Sequence, residues 1–301
     1  GRFVDAQICL ENTYVHIAEN GQENMVLCCD FLALRLALCT ELSLSYTIAE
    51  RRKELLRRHN ITWVTLFDSA CAYYYALSGQ ITQIPVLFRE HQLSTVNFLA
   101  PGKPMMELIE NQVYLAQQEY AKVIGRSEGL LAVCEAMHYA LVALHVQIQT
   151  AAAYECLGKR TEARNCLKRA LQIALPDQFY LPFVENYEYL EELLQREIQT
   201  ADAAEHVFLT KVTELGKNCQ KRYGALRKTH MFPKIAAELT EQEQRIIELL
   251  AERLSNREIA EKLFLSEGTI KQYINRIYAK LQISGDVRTK RRQLIELLTA
   301  E

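Results

Sequence analysis

The spacing of the apolar residues is the feature that most narrows the fold of this chain. From about residue 24 to residue 220, apolar residues recur every three or four positions, and no sustained alternation with a period of two appears. Glycine and proline, which interrupt regular structure, are scarce, with 11 and 6 among 301 residues. The pattern predicts an all-α protein built from one helix after another.

One segment has the residue order of a helical hairpin repeat. Tyr154 and Gly158 are followed by Ala163, Ala170 and Pro176. The glycine suits a turn, the alanines allow two helices to approach closely, and the proline ends the second helix. The segment resembles a tetratricopeptide repeat, and the resemblance implies a stack of helical hairpins over residues 1–222.

Two further copies of this repeat are weaker. One begins at Tyr120 and has Gly125 as its turn glycine, and the other spans Tyr75 to Gly79. Connections between helices are expected at 58–60, 78–80, 100–104, 124–127, 157–160 and 175–177. We therefore expect a tetratricopeptide-like array that is not regular throughout.

The last 65 residues contain three helix starts. Thr240 and Ser255 each begin a capping box, with Glu243 and Glu258 three residues later, and Ser266 precedes a third amphipathic run. A helix at 256–263, a very short connection and a longer helix from 267 give the layout of a helix-turn-helix.

The third of these helices has two different faces. Ile270, Ile274, Ile277 and Leu281 form its apolar stripe, and the opposite face is polar, with small residues and no acid after Glu267. From Gly268 to Arg292 there are seven basic residues and one acid, in a chain of net charge −2. Such a face and such a local charge are typical of a helix that enters the major groove of DNA.

These motifs closely resemble the LuxR-type helix-turn-helix domain. The resemblance lies in LTEQE at 239–243, LSNREIAEKL at 254–263, LSEGTIKQY at 265–273 and IYAKLQI at 277–283. Tyr273 stands where that family usually has histidine. With the repeats in front, the chain resembles the C-terminal part of MalT-like large LuxR regulators, which carry an N-terminal ATPase. The start at Gly1 without methionine also suggests a piece of a longer protein, and with no GxxxxGK[ST] loop, nucleotide binding is not expected.

The resemblance implies roles for residues of the expected domain, 235–301. Contacts with the edges of DNA bases are assigned to Lys271, Gln272 and Asn275. DNA backbone contacts are assigned to Asn256, Arg257, Thr269, Tyr273, Arg276 and Lys280. For Tyr273, half-buried packing beside Ile270 is the alternative.

A basic stretch separates the repeats from this domain. Lysines and arginines outnumber acids seven to one between Lys211 and Lys234, and helical periodicity is lost after Gly224. We expect a linker at 223–234, which acts either as a plain hinge or as a non-specific hold on DNA phosphates.

Two surfaces are candidates for binding partners. A groove on the repeats for a small-molecule inducer or a regulatory protein is assigned to Tyr74, Tyr120, His138, Tyr139 and His145, with ordinary hairpin packing as the alternative. The helix expected at 289–298, with Leu294, Ile295, Leu297 and Leu298, is assigned to homodimerisation on DNA, with closure of the domain core as the alternative.

Other classes of protein find little support. The nine cysteines are odd in number and lack CxxC, so they indicate reduced packing residues. No catalytic set, cofactor motif, metal-ligand spacing, signal peptide or membrane span is found, and we expect a cytoplasmic protein that is not an enzyme. The leading hypothesis is a transcriptional regulator that binds operator DNA. The alternative is a tetratricopeptide scaffold whose basic tail anchors it to DNA non-specifically.

Overall fold

The computed structural model describes residues 2–20, 23–40, 44, 47–96, 100–251, 254–280, 283, 289–290 and 294. The described residues form helices, short 3-10 turns and connections, with no β-strand among them. The predicted all-α class is confirmed. The chain divides into two compact units, Gly1–Tyr223 and Gly224–Glu301.

The first unit is a succession of helices joined mostly by short turns. Helices α4, α6, α8 and α11 lie side by side in chain order, α7 packs beside α6 and α8, and α9 packs beside α8 and α11. This is the arrangement expected of stacked hairpins. The helices are α1 Phe3–Asn20, α2 Glu23–Cys39, α3 Ile48–Arg57, α4 Ile61–Leu77, α5 Val86–Arg89, α6 Lys103–Ala116, α7 Tyr120–Ala136, α8 Ala140–Cys156, α9 Arg160–Ala174, α10 Leu181–Glu185, α11 Tyr187–Ile198 and α12 Ala203–Glu238.

Three of these turns share one geometry and set the register of the array. Gly79, Gln118 and Gly158 follow α4, α6 and α8 with positive φ angles of 71°, 64° and 71°. The next amide after each donates to the carbonyl of a tyrosine five residues back, Tyr75, Tyr114 or Tyr154, at 2.8 to 2.9 Å. This is the Schellman motif, which satisfies the last carbonyls of a helix. The hairpin unit is therefore about 40 residues long, near the range of HEAT and armadillo repeats.

The upstream repeat predicted at Tyr120 is wrong in its register. The sequence predicts Gly125 as its turn, but Gly125 lies inside α7, and the connection predicted at 124–127 is helical. The left-handed turn position is occupied by Gln118. Left-handed turns are recognised in a sequence by glycine, which adopts a positive φ without steric cost. A turn in which another residue accepts that cost therefore has no marker in the sequence. The copy at Tyr75–Gly79 and the one at Tyr154–Gly158 do have the glycine at the turn.

A ladder of buried amides crosses the middle of the stack. Gln149 of α8 donates through Nε2 to Oε1 of Gln112 on α6 at 2.9 Å, and Gln112 donates to Oδ1 of Asn186 at 3.0 Å. Asn186 in turn donates to the carbonyl of Pro182 at 3.1 Å. Buried amides of this kind are stable only when hydrogen-bonded, so the ladder fixes how α6, α8 and the start of α11 align.

A buried ion pair joins helices that are distant in sequence. Arg35 of α2 donates to both carboxylate oxygens of Glu185 in α10, at 2.7 and 2.9 Å, and the hydroxyl of Tyr73 in α4 donates to the same carboxylate at 2.9 Å. Burial alone would lower the pKa of Arg35, but the Glu185 carboxylate outweighs it and raises that pKa. Because a buried carboxylate needs such partners, this cluster ties α2 and α4 to the far end of the unit.

The segment predicted as a linker, 223–234, lies within α12. The first part of α12 packs into the first unit through Phe208, Val212 and Cys219, which are almost fully buried. The division between the two units falls inside this helix, after Tyr223. The backbone over the expected linker is therefore helical.

Helix α12 approaches α11 closely at Gly216, which yields a test of the packing. A Cβ atom at this position would lie 2.3 Å from Cγ of the fully buried Tyr187. We expect Gly216→Ala to lower the free energy of unfolding of the first unit by about 1–3 kcal/mol, as overpacking does. Urea unfolding followed by circular dichroism measures it. The matched control is Gly129→Ala in α7, where a Cβ meets nothing within 4 Å and helix propensity should make the change neutral or stabilising. Equal effects of the two substitutions would contradict this packing.

Candidate nucleic-acid interface

Three capped helices follow α12 in the second unit: α13 Glu241–Ala251, α14 Asn256–Leu263 and α15 Glu267–Lys280. Ser255 and Glu258 make the predicted capping box of α14, and Thr240 and Glu243 make that of α13. Ser266 accepts from the amide of Thr269 at 3.1 Å. All three helix starts predicted from these caps are confirmed.

The turn between α14 and α15 is as tight as the sequence predicted. Phe264 has a left-handed φ of 55°, and the amide of Leu265 donates to the carbonyl of Ala260 at 2.9 Å. The Phe264 ring is 95% exposed. The turn therefore depends on its backbone geometry and not on burial of this ring.

The core beneath these helices contains the predicted stripe. Ile270, Ile274 and Ile277 of α15 are buried against Ile246 and Ile259. Leu294 also belongs to this core, as the alternative given for the 289–298 helix predicts, and so does Tyr278, which the sequence analysis does not place there. Leu294 is fully buried, so it closes the core of its own domain; Leu281, Ile295, Leu297 and Leu298 lie outside the described residues.

An ion pair between an exposed lysine and a buried glutamate connects the start of α13 with the end of α15. The ammonium of Lys280 donates to Oε2 of Glu243 at 2.7 Å, and the Glu243 side chain is 3% exposed. Burial alone would raise the pKa of the Glu243 carboxyl, but Lys280 and the amide and hydroxyl of Thr240 hold that pKa below its usual range. Lys280 therefore positions α15, in addition to any contact that it makes with DNA.

The outward face of α15 presents the predicted base-reading residues together. Lys271, Gln272 and Asn275 are exposed on this face, and so is Arg276. The Lys271 ammonium lies 3.3 Å from Oε1 of Glu267, and both side chains are more than half exposed. An exposed pair of this kind is worth only about 0.3–0.5 kcal/mol, so Lys271 can exchange this carboxylate for another acceptor.

The residues predicted to hold the DNA backbone lie around this face. Thr269 and Tyr273 are half-buried, and the Arg276 guanidinium lies over the Tyr273 ring at 5.6 Å. On α14, Asn256 is half-buried, whereas Arg257 is exposed and donates to Glu261 at 3.2 Å. Tyr273 also packs against the core, as the alternative interpretation predicts, and its contact with the DNA backbone stays a prediction.

The residues assigned to a groove on the repeats are dispersed. Tyr74 is buried in α4 against Tyr75, and Tyr120 begins α7. His138 and Tyr139 lie in the turn before α8, and His145 is buried farther along α8, edge-on to Tyr73. Burial and the neighbouring Arg35 lower the pKa of His145 to about 4, so it is neutral near pH 7.

Comparison with known families identifies the second unit. The family described as bacterial regulatory proteins, luxR family, matches residues 237–291. This segment is a luxR-family helix-turn-helix domain. The match includes α13, α14 and α15 and therefore the whole exposed face described above.

Two curated relatives contain similar sequence. The DNA-binding transcriptional activator DevR/DosR of Mycobacterium tuberculosis is 49% identical over 43 residues, 14% of this chain and 20% of that protein. The uncharacterised transcriptional regulatory protein YxjL of Bacillus subtilis is 34% identical over 90 residues, 30% of this chain and 39% of that protein. The chain thus matches well under half the length of either relative. No solved structure matches it significantly.

The described residues include neither a metal-binding cluster nor a membrane-spanning helix. They contain no group of three or more histidine, cysteine or acidic side chains arranged to hold a metal ion. None of the helices in this part of the chain is long and apolar enough to cross a membrane.

The Glu243 carboxylate provides a test of how the luxR-family domain is held together. We expect Glu243→Gln to lower the local stability of this domain by about 1.5–3 kcal/mol at pH 7, because the hydrogen bonds to a charged carboxylate are lost. A carboxyl with a lowered folded pKa stabilises above its unfolded pKa of about 4.3, and this contribution disappears as the pH falls through the folded pKa. The gap between parent and variant should therefore narrow below pH 4.

Hydrogen exchange of the amides in α13 and α15 of the whole chain, at pH 7 and pH 3.5, measures this gap. The control is Glu261→Gln, which removes only the exposed pair with Arg257 and should change stability by less than about 0.5 kcal/mol. A gap that stays the same at both pH values would show that the Glu243 charge is not what stabilises the domain.

Proposed function

We propose that this chain is a sequence-specific, DNA-binding transcriptional regulator, in which the helical-repeat unit senses a small molecule or a partner protein and controls the luxR-family domain. The observation that carries the proposal is the outward face of α15, where Lys271, Gln272 and Asn275 are exposed side by side. The helix beneath them is fixed by a buried stripe and by the Glu243–Lys280 pair.

The chemistry of this face fits the edges of base pairs in the major groove. An asparagine or glutamine amide can donate to and accept from adenine at the same time, and a lysine can donate to guanine. Gly268 and Ala279 on the same helix are exposed and small, so they permit close approach. We assign base reading to Lys271, Gln272 and Asn275 on these grounds.

The surrounding basic and hydroxyl side chains suit the phosphate backbone. Arg257 and Arg276 are exposed, and Thr269 and Asn256 stand in the first turns of α15 and α14, where helix dipoles favour anions. Tyr273 would support Arg276 through their ring contact. These residues are assigned to positioning the domain on the duplex without reading its sequence.

The order of the two units along the chain supports a separate role for each. We assign sensing to residues 1–222, connection to 223–234 and DNA binding to 235–301, in the manner of MalT-like regulators. The printed names of both relatives describe regulation of transcription, and one describes DNA binding. These names and the hairpin stack in front of the domain support the assignment.

Removal of a base-reading amide tests the function directly. DNA sites are first selected from a random pool with the parent chain, and affinities are then measured by fluorescence anisotropy. Gln272→Ala or Asn275→Ala should weaken binding to the selected site by about 1–3 kcal/mol and relax preference at one or two base positions. Scrambled DNA should be bound as before.

The matched control is Arg257→Ala, which should weaken selected and scrambled DNA equally and lower the salt slope by about one phosphate contact. If no sequence is enriched and all binding disappears with salt, the chain is instead a scaffold with a non-specific DNA anchor. If the two amide variants bind selected DNA like the parent, the assignment of α15 as reader is wrong.

We also propose that two chains pair on DNA through the segment 289–298, because one recognition helix reads too few base pairs for tight specific binding. Leu294 is buried in the domain core, so the pairing surface is assigned to the apolar residues after it. Leu297→Asp should leave half-site affinity unchanged and abolish cooperative binding to two half-sites in gel-shift titrations. Leu294→Ala should instead lower the free energy of unfolding of the domain by about 2–5 kcal/mol, because it leaves a cavity in the core. If a folded Leu297→Asp variant still binds two half-sites cooperatively, two chains do not pair through this segment.

A further inference from the structure

A cleft of about 480 Å³ lies in the first unit beside α6. Its lining combines polar and charged groups of α6 and α7 with apolar groups of the segment 91–96. A cleft of this size accommodates a small molecule, and convergent polar groups in such a cleft fix the orientation of a ligand. None of the residues assigned to a sensor groove from the sequence lines it.

His91, on one side of the cleft, is held in a single orientation. Its ring stacks on Tyr114 with the centroids 3.7 Å apart and the planes within 7°. Its Nε2 lies 2.6 Å from Oε1 of Gln117, whose amide nitrogen donates to the carbonyl of Arg89 at 3.0 Å. Because an amide nitrogen only donates, this second bond turns Oε1 toward the histidine, and Nε2 of His91 must carry the proton.

The other ring nitrogen of His91 faces a buried carboxylate. Nδ1 is buried, has no hydrogen-bond partner in the described part of the chain, and lies 3.6 Å from Oε1 of Glu110. The Glu110 side chain is only 6% exposed, and its other oxygen contacts Arg126. When the ring carries only its Nε2 proton, Nδ1 and the carboxylate oxygen are both acceptors, and a hydrogen-bond donor at this end of the cleft satisfies them.

The opposite end of the cleft favours an anion. Lys103, the first residue of α6, lines it, and the Lys103 side chain is 68% exposed with its ammonium 3.8 Å from Glu107. Gly102 precedes α6 and offers no side-chain cap, so the positive end of the helix dipole points out of this turn uncapped by a side chain. Lys103 and Glu110 are two turns apart, which is about 10 Å along the helix axis.

The geometry points to a binding site for an elongated zwitterion, an ω-amino acid or a dipeptide-sized molecule. Its ammonium donates to His91 Nδ1 and Glu110, its carboxylate lies at Lys103 and the start of α6, and its apolar middle packs on Leu93, Val96 and Met106. The use of this site as a signal for DNA binding rests on the proposed function. Binding itself does not, because it involves the first unit alone.

Isothermal titration of the 301-residue chain with three matched compounds tests the site. 6-Aminohexanoate carries both charged groups, whereas hexanoate and hexylamine carry one each. We expect 6-aminohexanoate to bind at least tenfold more tightly than either of the others. Lys103→Met should reduce its affinity to that of hexylamine and leave hexylamine unaffected, and Lys159→Met in the turn after α8 is the control that should change nothing.

Equal affinities of the three compounds, or an unchanged affinity in Lys103→Met, would overturn the assigned orientation. Absence of binding by all three at 10 mM would overturn the site. Because Lys103 is exposed, circular dichroism and the thermal midpoint should show that its variant remains folded. Selection of DNA sites by the same protein is a separate readout, so a chain that binds 6-aminohexanoate but enriches no DNA sequence would contradict only the proposed function.

Discussion

A buried glutamate in each unit ties together helices that are distant in sequence. In the first unit Glu185 accepts from Arg35 and from Tyr73, and in the second Glu243 accepts from Lys280. A carboxylate removed from water is stable only when charged and hydrogen-bonding partners replace the water. Each glutamate therefore stabilises one arrangement of its helices. Arrangements that separate it from its partners have a higher free energy, because they leave a buried charge unpaired.

In the DNA-binding domain this constraint acts on the helix that matters most. Glu243 caps the start of α13 and at the same time holds the last turn of α15. The buried isoleucines fix the rotation of α15 about its axis, and the ion pair fixes its far end. The outward amides of Gln272 and Asn275 are thus presented on a rigid support, as the base-reading role proposed for them requires.

Much of the second unit could be predicted because its signals are local. Thr240, Ser255 and Ser266 cap helices within three residues of themselves, and the helical period then determines which side of α15 is buried. The outward face is what remains, so its candidate readers could be named from the sequence. The Glu243–Lys280 pair could not be foreseen in this way, since its partners are 37 residues apart.

The first unit was harder to predict because its decisive contacts are either non-local or lack a signature residue. Gln118 adopts the left-handed turn conformation that glycine adopts at Gly79 and Gly158. The sequence predicts this turn at the nearby Gly125 instead, because glycine is the usual residue there. Arg35 and Glu185 are 150 residues apart, and no local pattern pairs them.

The cleft beside α6 illustrates the same limit. The sequence predicts aromatic and histidine residues as the lining of a binding groove, yet tyrosines such as Tyr74 pack between helices, where a large ring with a polar tip is most useful. His91 differs because it lies in a turn, with φ of 55°, where no periodicity assigns it to a face. Its ring is oriented by Gln117, which is itself oriented by the carbonyl of Arg89. A ring nitrogen that is left without a hydrogen-bond partner by a chain of two hydrogen bonds becomes recognisable only when the fold has brought those partners together.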